Sequence, residues 1–241
     1  MLRRVHVPTI HAADLELPEN EAHHVRDVLR LEVDDELELF DPAGRTARAA
    51  ITAISAMGVT VRIKEVIEPC QLTRLTIGSA LPKGDRADWM IEKLSELGVH
   101  RFVPLQTERS IVHPQGTSKF ERWARIAAES AKQSRRSGIM QIEPLMPLDA
   151  CIDAAAPLSL YLAPRASALL SSLEAQVSDL TLFIGPEGGW TDDELALFGS
   201  HSVAPARLTD SILRIETAAI AAAAVAQCVL SASFSNHRSK I

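Results

Sequence analysis

The chain has 241 residues, 46% of them hydrophobic and 23% charged, enough to bury a sizeable core as one large domain or two smaller ones. Its formal charge of −6 disfavours a polyanionic partner only on average, because the charge is unevenly spread. Eleven carboxylates between Asp14 and Asp41 face only Arg26 and Arg30, whereas six basic residues between Lys119 and Arg136 face only Glu121 and Glu129. Such a basic strip fits either a phosphate-binding face or a solvated helix with internal ion pairs. Cys70, Cys151 and Cys228 are odd in number and far apart, which argues against a disulfide framework or a CxxC zinc site. The histidines form no HExxH, and His23-His24 lacks recognisable co-ligands, so no metal is expected.

The opening "MLRRVHVPTI" has no apolar core behind its arginines, so no signal peptide is expected. Up to about residue 68, "DELELFD", "RTARAAITAI" and "VTVRIKEVI" alternate with the period of half-buried strands. One helix, roughly Glu19 to Arg30, interrupts them, and a small β-barrel is the natural closure. Pro69 in "EPCQLT" is a plausible linker. The expected domains are therefore 1–70 and 71–241.

From Arg74 the rhythm becomes strand-helix-strand. "RLTIGSAL" reads as a strand, and Ala87, Met90, Ile91, Leu94 and Leu97 predict a helix over about 85–97 that Gly98 ends. "RFVPL" is the next strand, and a helix over about 118–136 carries the basic strip. "LSLYLAP" and "LTLFIG" read as strands each followed by a helix, and an alanine-rich helix spans about 215–231. This order implies a mostly parallel sheet covered on both faces, with ligands at the carboxyl ends of its strands. "AAIAAAAVAQCVL" at 218–230 is shorter than the ~20 residues a membrane span needs, so a cytoplasmic protein without a membrane partner is expected.

Two stretches at such strand ends carry the candidate chemistry. "FIGPEGGW" at 183–190 is a strand, a glycine-rich turn and then a Thr191-x-x-Glu194 capping box opening a helix. The turn has no lysine and holds Glu187, so it suits close backbone approach to something other than a nucleotide's phosphates. "LTDSILRIETAAIA" at 208–221 sets an apolar pair before Arg214 and Glu216, a possible wall for a flat uncharged ring. Neither GxGxxG nor a P-loop is present, which disfavours a nucleotide-binding enzyme.

"KGDRADWMIEKLSELGV", "TERS", "RWARIAAESAKQSRR", "IGPEGGWTDDE" and "ILRIETAAIAA", in this order, together with His24 and "VLRL" at 28–31, resemble the bacterial ribosomal RNA small subunit methyltransferase E family over nearly the whole chain. The resemblance implies an α/β SPOUT fold, with a parallel sheet and a C-terminal trefoil knot, behind a PUA-like β-barrel. It implies transfer of a methyl group from S-adenosylmethionine to N3 of a uridine in 16S rRNA, release of S-adenosylhomocysteine, and a homodimer. The donor site would comprise Leu162, Ile184, Gly185, Pro186, Glu187, Gly188, Gly189, Leu208, Ser211, Ile212 and Leu213. RNA contacts would come from Arg3, Arg4, His24, Arg30, Lys83, Arg86 and Arg109, while Trp89 reads as core. Arg136 or Arg214 would stabilise charge on the uracil, and Glu216 or water would accept its proton. The alanine helix suits a dimer contact or ordinary core packing. Two departures stand out: Thr209 follows Leu208 where the family reads glycine, and Ser211 replaces a common arginine. They keep open an inactive RNA-binding protein on the same scaffold, beside an enzyme acting on another RNA such as tRNA.

Overall fold

Side-chain alternation builds the first sheet. The computed structural model describes residues 2–11, 13–68, 74–114, 116–173 and 179–238, with side chains as far as residue 230. Pro69 and Cys70 lie outside the described residues. Strands β1 (Arg3–His6), β2 (Asp14–Glu16), β3 (Glu36–Phe40), β4 (Thr46–Ile54) and β5 (Val59–Ile67) take the order β1-β3-β4-β5-β2. β1 runs parallel to β3 and the other pairs are antiparallel. Leu37 pairs with Ala49 and Leu39 with Ala47, so every second residue enters one core with Val5, Val25, Val59 and Val61. The helix expected over 19–30 is shorter and divided. α1 (Glu19–His23) passes into a π-helical turn at His24–Val28, where the Leu29 N–H donates to the His24 carbonyl at 2.9 Å. Arg30, at φ 53°, turns the chain away.

Two compact units emerge, Met1–Gln71 with Ala128–Ile139, and Leu72–Ala127 with Met140–Ile241. The helix α3 (Ser118–Ser134) thus contributes to both. Its C-terminal turn belongs with β1 for a physical reason. Arg4 is 7% exposed and donates to the Ala131 and Arg136 carbonyls at 3.0 and 2.7 Å, which a helix end otherwise leaves without partners. Arg4 also pairs with Glu38 at 2.9 Å, Lys132 with Glu21 at 2.8 Å and Arg135 with Glu38 at 3.3 Å. This end of the basic strip is therefore consumed by internal ion pairs.

The second unit is a parallel sheet in the order β12-β10-β11-β6-β7-β8. Its strands are β6 (Arg74–Ser79), β7 (Arg101–Gln106), β8 (Gln141–Ile142), β10 (Leu158–Leu162), β11 (Asp179–Ile184) and β12 (Ala204–Ala206), with β9 (Met146–Pro147) also paired to β7. β11 is buried over Leu180–Ile184, as a central parallel strand requires. α2 (Arg86–Glu96) ends at Gly98, whose φ of 82° glycine adopts without strain. α4 (Leu148–Asp153) and α5 (Asp192–Ser200) pack Cys151, Ile152 and Phe198 on Val103, Leu105 and Phe183. Between β10 and β11 the described residues hold a 3₁₀ turn at Leu170–Ser172 instead of the expected helix. α6 (Ile215–Arg238) packs on α2, β6 and β11 with Ala219, Ala222, Ala223 and Ala226 fully buried. Those small side chains are used within the chain, so they no longer argue for a contact with a second copy.

Candidate functional site

The strand order makes neighbours of four loops, those following β12, β10, β11 and β6, at the carboxyl edge of the parallel sheet. The glycine turn follows β11, and the capping box behind it forms as the sequence predicts. Thr191 Oγ1 accepts from the Glu194 amide at 3.3 Å, and Glu194 Oε2 accepts from the Thr191 amide at 2.9 Å. The other oxygen of buried Glu194 accepts from the Glu108 amide at 2.9 Å, fixing the loop after β7 to the start of α5.

The three glycines serve three different ends. A Cβ at Gly185 would stand 2.9 Å from the Trp190 indole, and one at Gly188 would stand 3.2 Å from Arg109 Cδ. Gly189 has open space around it and a φ of 70°, so its backbone conformation is what needs glycine. Trp190 in turn donates from Nε1 to the Leu162 carbonyl at 3.0 Å, joining the turn to the end of β10. Arg109 Nη1 donates to the Gly188 carbonyl at 2.7 Å and to the Trp190 carbonyl at 3.3 Å. The Ile184 carbonyl accepts from the Ala80 amide at 2.9 Å, which ties the turn to the loop after β6. Pro186 is buried, whereas Glu187 and Gly188 are exposed.

The loop after β12 is stabilised locally. Arg207 pairs with Asp210, and the Ser211 amide donates to Thr209 Oγ1 at 3.2 Å. The threonine thus has a structural task, forming a turn in which a glycine would supply no side-chain acceptor. Leu208 and Leu213 are half-buried, and Ile212 is 87% exposed, a large apolar side chain left open beside the site. Arg214 is exposed at the entrance to α6.

Glu216 is the most constrained group here. It is 5% exposed, and its Oε1 accepts from Arg86 Nη1 at 3.2 Å. Its Oε2 is buried with no hydrogen-bond partner among the described residues. Burying an acceptor in that state is costly unless something else fills it. Glu216, Arg214 and the exposed Ile212 thus lie within five residues at the entrance to α6.

Several sequence expectations change here. Arg4 is buried on α3, which removes it from any phosphate-binding surface. Arg86 is the partner of Glu216 rather than a spare surface charge. Burial, then the charge of Arg4, pulls the Arg136 guanidinium down to about 10. Trp89, read as core, is 48% exposed, and Trp123 is the fully buried indole. Arg3, Arg30 and Lys83 are exposed, and His24 is half-buried in the π-helical turn. Trp190 was missed; its only sequence signal is its place after the glycines. Among the described residues no group of three or more His, Cys, Asp or Glu is placed to hold a metal, and no helix is long and apolar enough to cross a membrane.

The chain resembles known proteins over most of its length. The profile of the RNA methyltransferase domain matches residues 68–227, and that of the RNA methyltransferase PUA domain matches residues 17–64. Ribosomal RNA small subunit methyltransferase E of Bacillus subtilis is 33% identical over 214 residues, covering 82% of this chain and 83% of that one. Its counterpart from Synechocystis is 34% identical over 229 residues, 90% of this chain and 74% of the relative. The structure is similar to that of the Neisseria gonorrhoeae enzyme of the same name bound to S-adenosylmethionine, with a TM-score of 0.84, 26% identity and coverage of 95% and 98%. A Legionella pneumophila methyltransferase solved with the same cofactor gives a TM-score of 0.82, 32% identity and coverage of 95% and 98%. By these matches over most of its length, the chain belongs to the ribosomal RNA small subunit methyltransferase E family.

Proposed function

We propose that the protein methylates N3 of one uridine in 16S rRNA, using S-adenosylmethionine, without a metal and as a homodimer. The observation that carries this reading is buried Glu216, held through one oxygen by Arg86 and with its second oxygen still able to accept a hydrogen bond. The residues around it fit a phosphate-free donor. Glu187 offers a carboxylate where a polyphosphate would be repelled, and Leu208, Ile212 and Leu213 offer apolar surface to an adenine. Leu162, Ile184, Gly185, Pro186, Gly188, Gly189 and Ser211 complete the donor site in this proposal. The Leu162 and Ile184 carbonyls are already engaged, so these two residues would act through their side chains.

When bound, the donor supplies an activated methyl carbon and leaves as S-adenosylhomocysteine. The protein's tasks are to orient the uracil and to manage its proton. N3 attacks only after losing its hydrogen, and negative charge then spreads onto O2 and O4. Arg214, exposed beside the site, is assigned to stabilise that charge, and Glu216 to accept the proton. Arg136, partly buried, is the alternative for that charge. RNA contacts are assigned to Arg3, His24, Arg30, Lys83 and Arg109.

The proposal includes the trefoil knot. β12 returns beside β10, and the chain leaving it is bonded to the segment that left β10. The Arg207 amide donates to the Ala168 carbonyl, and the Leu170 amide to the Arg207 carbonyl, both at 2.9 Å.

Mass spectrometry of small-subunit rRNA from strains with and without the gene tests the substrate. N3-methyluridine should vanish from the deletion strain, and its persistence there refutes the assignment. Calorimetric titration with S-adenosylmethionine separates an enzyme from an inactive RNA-binding descendant, which would bind the donor weakly or not at all. Sedimentation of the full chain tests the dimer.

A further inference from the structure

The sequence read one basic strip along α3, but the structure divides it. Lys132 and Arg135 are spent on Glu21 and Glu38, whereas Lys119, Arg122 and Arg125 belong to the second unit and line an open groove of about 460 Å³. The opposite wall is the start of α2, with Gly84, Asp85 and Asp88. Resting on the RNA methyltransferase reading above, we infer that this groove holds the sugar-phosphate backbone of the RNA substrate.

Its construction supports that occupant. Asp88 does not set the sign of the groove, because it is occupied internally. One carboxylate oxygen accepts from Trp123 Nε1 at 2.8 Å, and the other meets Arg122 Nη2 at 2.7 Å. Trp123 is fully buried against Phe102 and Phe120, so the pair fixes α2 to α3 and gives the groove a rigid floor. The Lys119 ammonium lies 5.2 Å above the same indole, which holds it near the groove. Arg125 is exposed and forms no ion pair among the described residues. With Asp88 and Arg122 compensating each other, Lys119 and Arg125 outnumber Asp85, and exposed Lys83 adds charge next to Gly84.

The cations recur every three residues, a rise of about 4.5 Å per step along the helix. A linear array of anions fits such a row better than a single compact one. The open form of the groove also suits a polymer that passes through. Contacts to phosphates carry no sequence information, so a groove that holds the backbone would position the RNA without specifying sequence.

The test measures binding of a fluorescein-labelled uridine-containing RNA oligonucleotide to the full chain across potassium chloride concentrations, beside methylation of small-subunit rRNA from the deletion strain. Each lost phosphate contact lowers the slope of log affinity against log salt by about 0.7 for single strands. Lys119→Ala/Arg125→Ala should therefore lower it by about 1.4 and weaken RNA binding about tenfold, with S-adenosylmethionine affinity unchanged. Arg125→Ala alone, at an exposed position, should lower it by about 0.7, and Arg125→Lys should restore it. An unchanged slope in both alanine variants, while the wild type methylates rRNA, refutes the groove and leaves the enzymatic reading intact. Competition by polyglutamate as effective as that by RNA would also overturn it, since the groove would then be a generic anion site. A wild type that binds donor but never methylates rRNA points instead to failure of the proposed function.

Discussion

Arg86→Ala isolates the strongest electrostatic commitment in the site. The Glu216 side chain is 6% exposed and that of Arg86 38%, so the carboxylate is nearly desolvated and the cation only in part. Removing one partner of a fully buried pair costs about 3–5 kcal/mol, whereas an exposed pair is worth about 0–1 kcal/mol. The intermediate burial here places the loss at about 2 kcal/mol, because the buried Glu216 carboxyl would be left with neither oxygen bonded. For a chain of this length that is about 4–8 °C in thermal midpoint. Calorimetry of the wild type, Arg86→Ala, Glu216→Gln and the double variant measures it. The double variant should recover most of the loss, since a neutral amide tolerates the missing cation. If Arg86→Ala melts within about 1 °C of the wild type, the pair does not hold the carboxylate and the argument fails.

Gly185→Ala should cost about 1–3 kcal/mol and weaken donor binding, because its Cβ would displace Trp190; unaltered donor affinity would show that Trp190 does not shape the site. Trp190→Phe, which removes the bond to the Leu162 carbonyl together with part of the packing on Tyr161 and Phe198, should weaken the donor as well and leave the fold intact by circular dichroism. Burial holds the His6 imidazole below its ordinary pKa of 6.5, and its Nε2 has no hydrogen-bond partner among the described residues. The unfolded chain then binds the proton first, so stability present at pH 7.5 falls as pH drops through 6.5. His6→Phe should flatten the melting curve between pH 7.5 and 5.5, and an equal slope in both proteins would contradict this. Burial pushes the Cys151 thiol up to about 11, so iodoacetamide at pH 8 should label exposed Cys228 in the native protein and reach Cys151 only after unfolding.

Local patterns carried the elements that depend on near neighbours in sequence. The apolar runs of β10 and β11, the Thr191-Glu194 capping box and the glycine end of α2 are each written within a few residues. β1 and β2 escaped because three or four residues are too few to display a period. The π-helical turn was hidden for a different reason: its composition is that of an α-helix, and only the register of the Leu29 amide differs. Long-range pairings were beyond any periodicity. Arg86 meets Glu216 across 130 positions and Arg4 reaches Ala131 across 127, so a charge count saw two spare cations where the fold had found their partners.

The glycine turn shows most plainly how a motif and its cause can differ. Three glycines between a strand and a helix suggest a backbone laid against a ligand. Yet Gly185 makes room for an indole and Gly188 for an arginine side chain, and both neighbours come from the protein itself. Trp190 uses that room to reach the end of β10, and Arg109 uses it to cross-link the turn through two carbonyls. The turn is therefore fixed in place before any ligand arrives, which lowers the ordering a ligand must bring about. Substituting Gly185 or Gly188 should act through Trp190 and Arg109, whereas Gly189→Ala should act through backbone strain of about 1–2 kcal/mol at φ 70°. Asparagine, which tolerates that conformation, should be milder than alanine at position 189 and no milder at position 185. Donor affinities for those four variants separate crowding from strain, and a common response to both residues at both positions would show that the glycines share one cause.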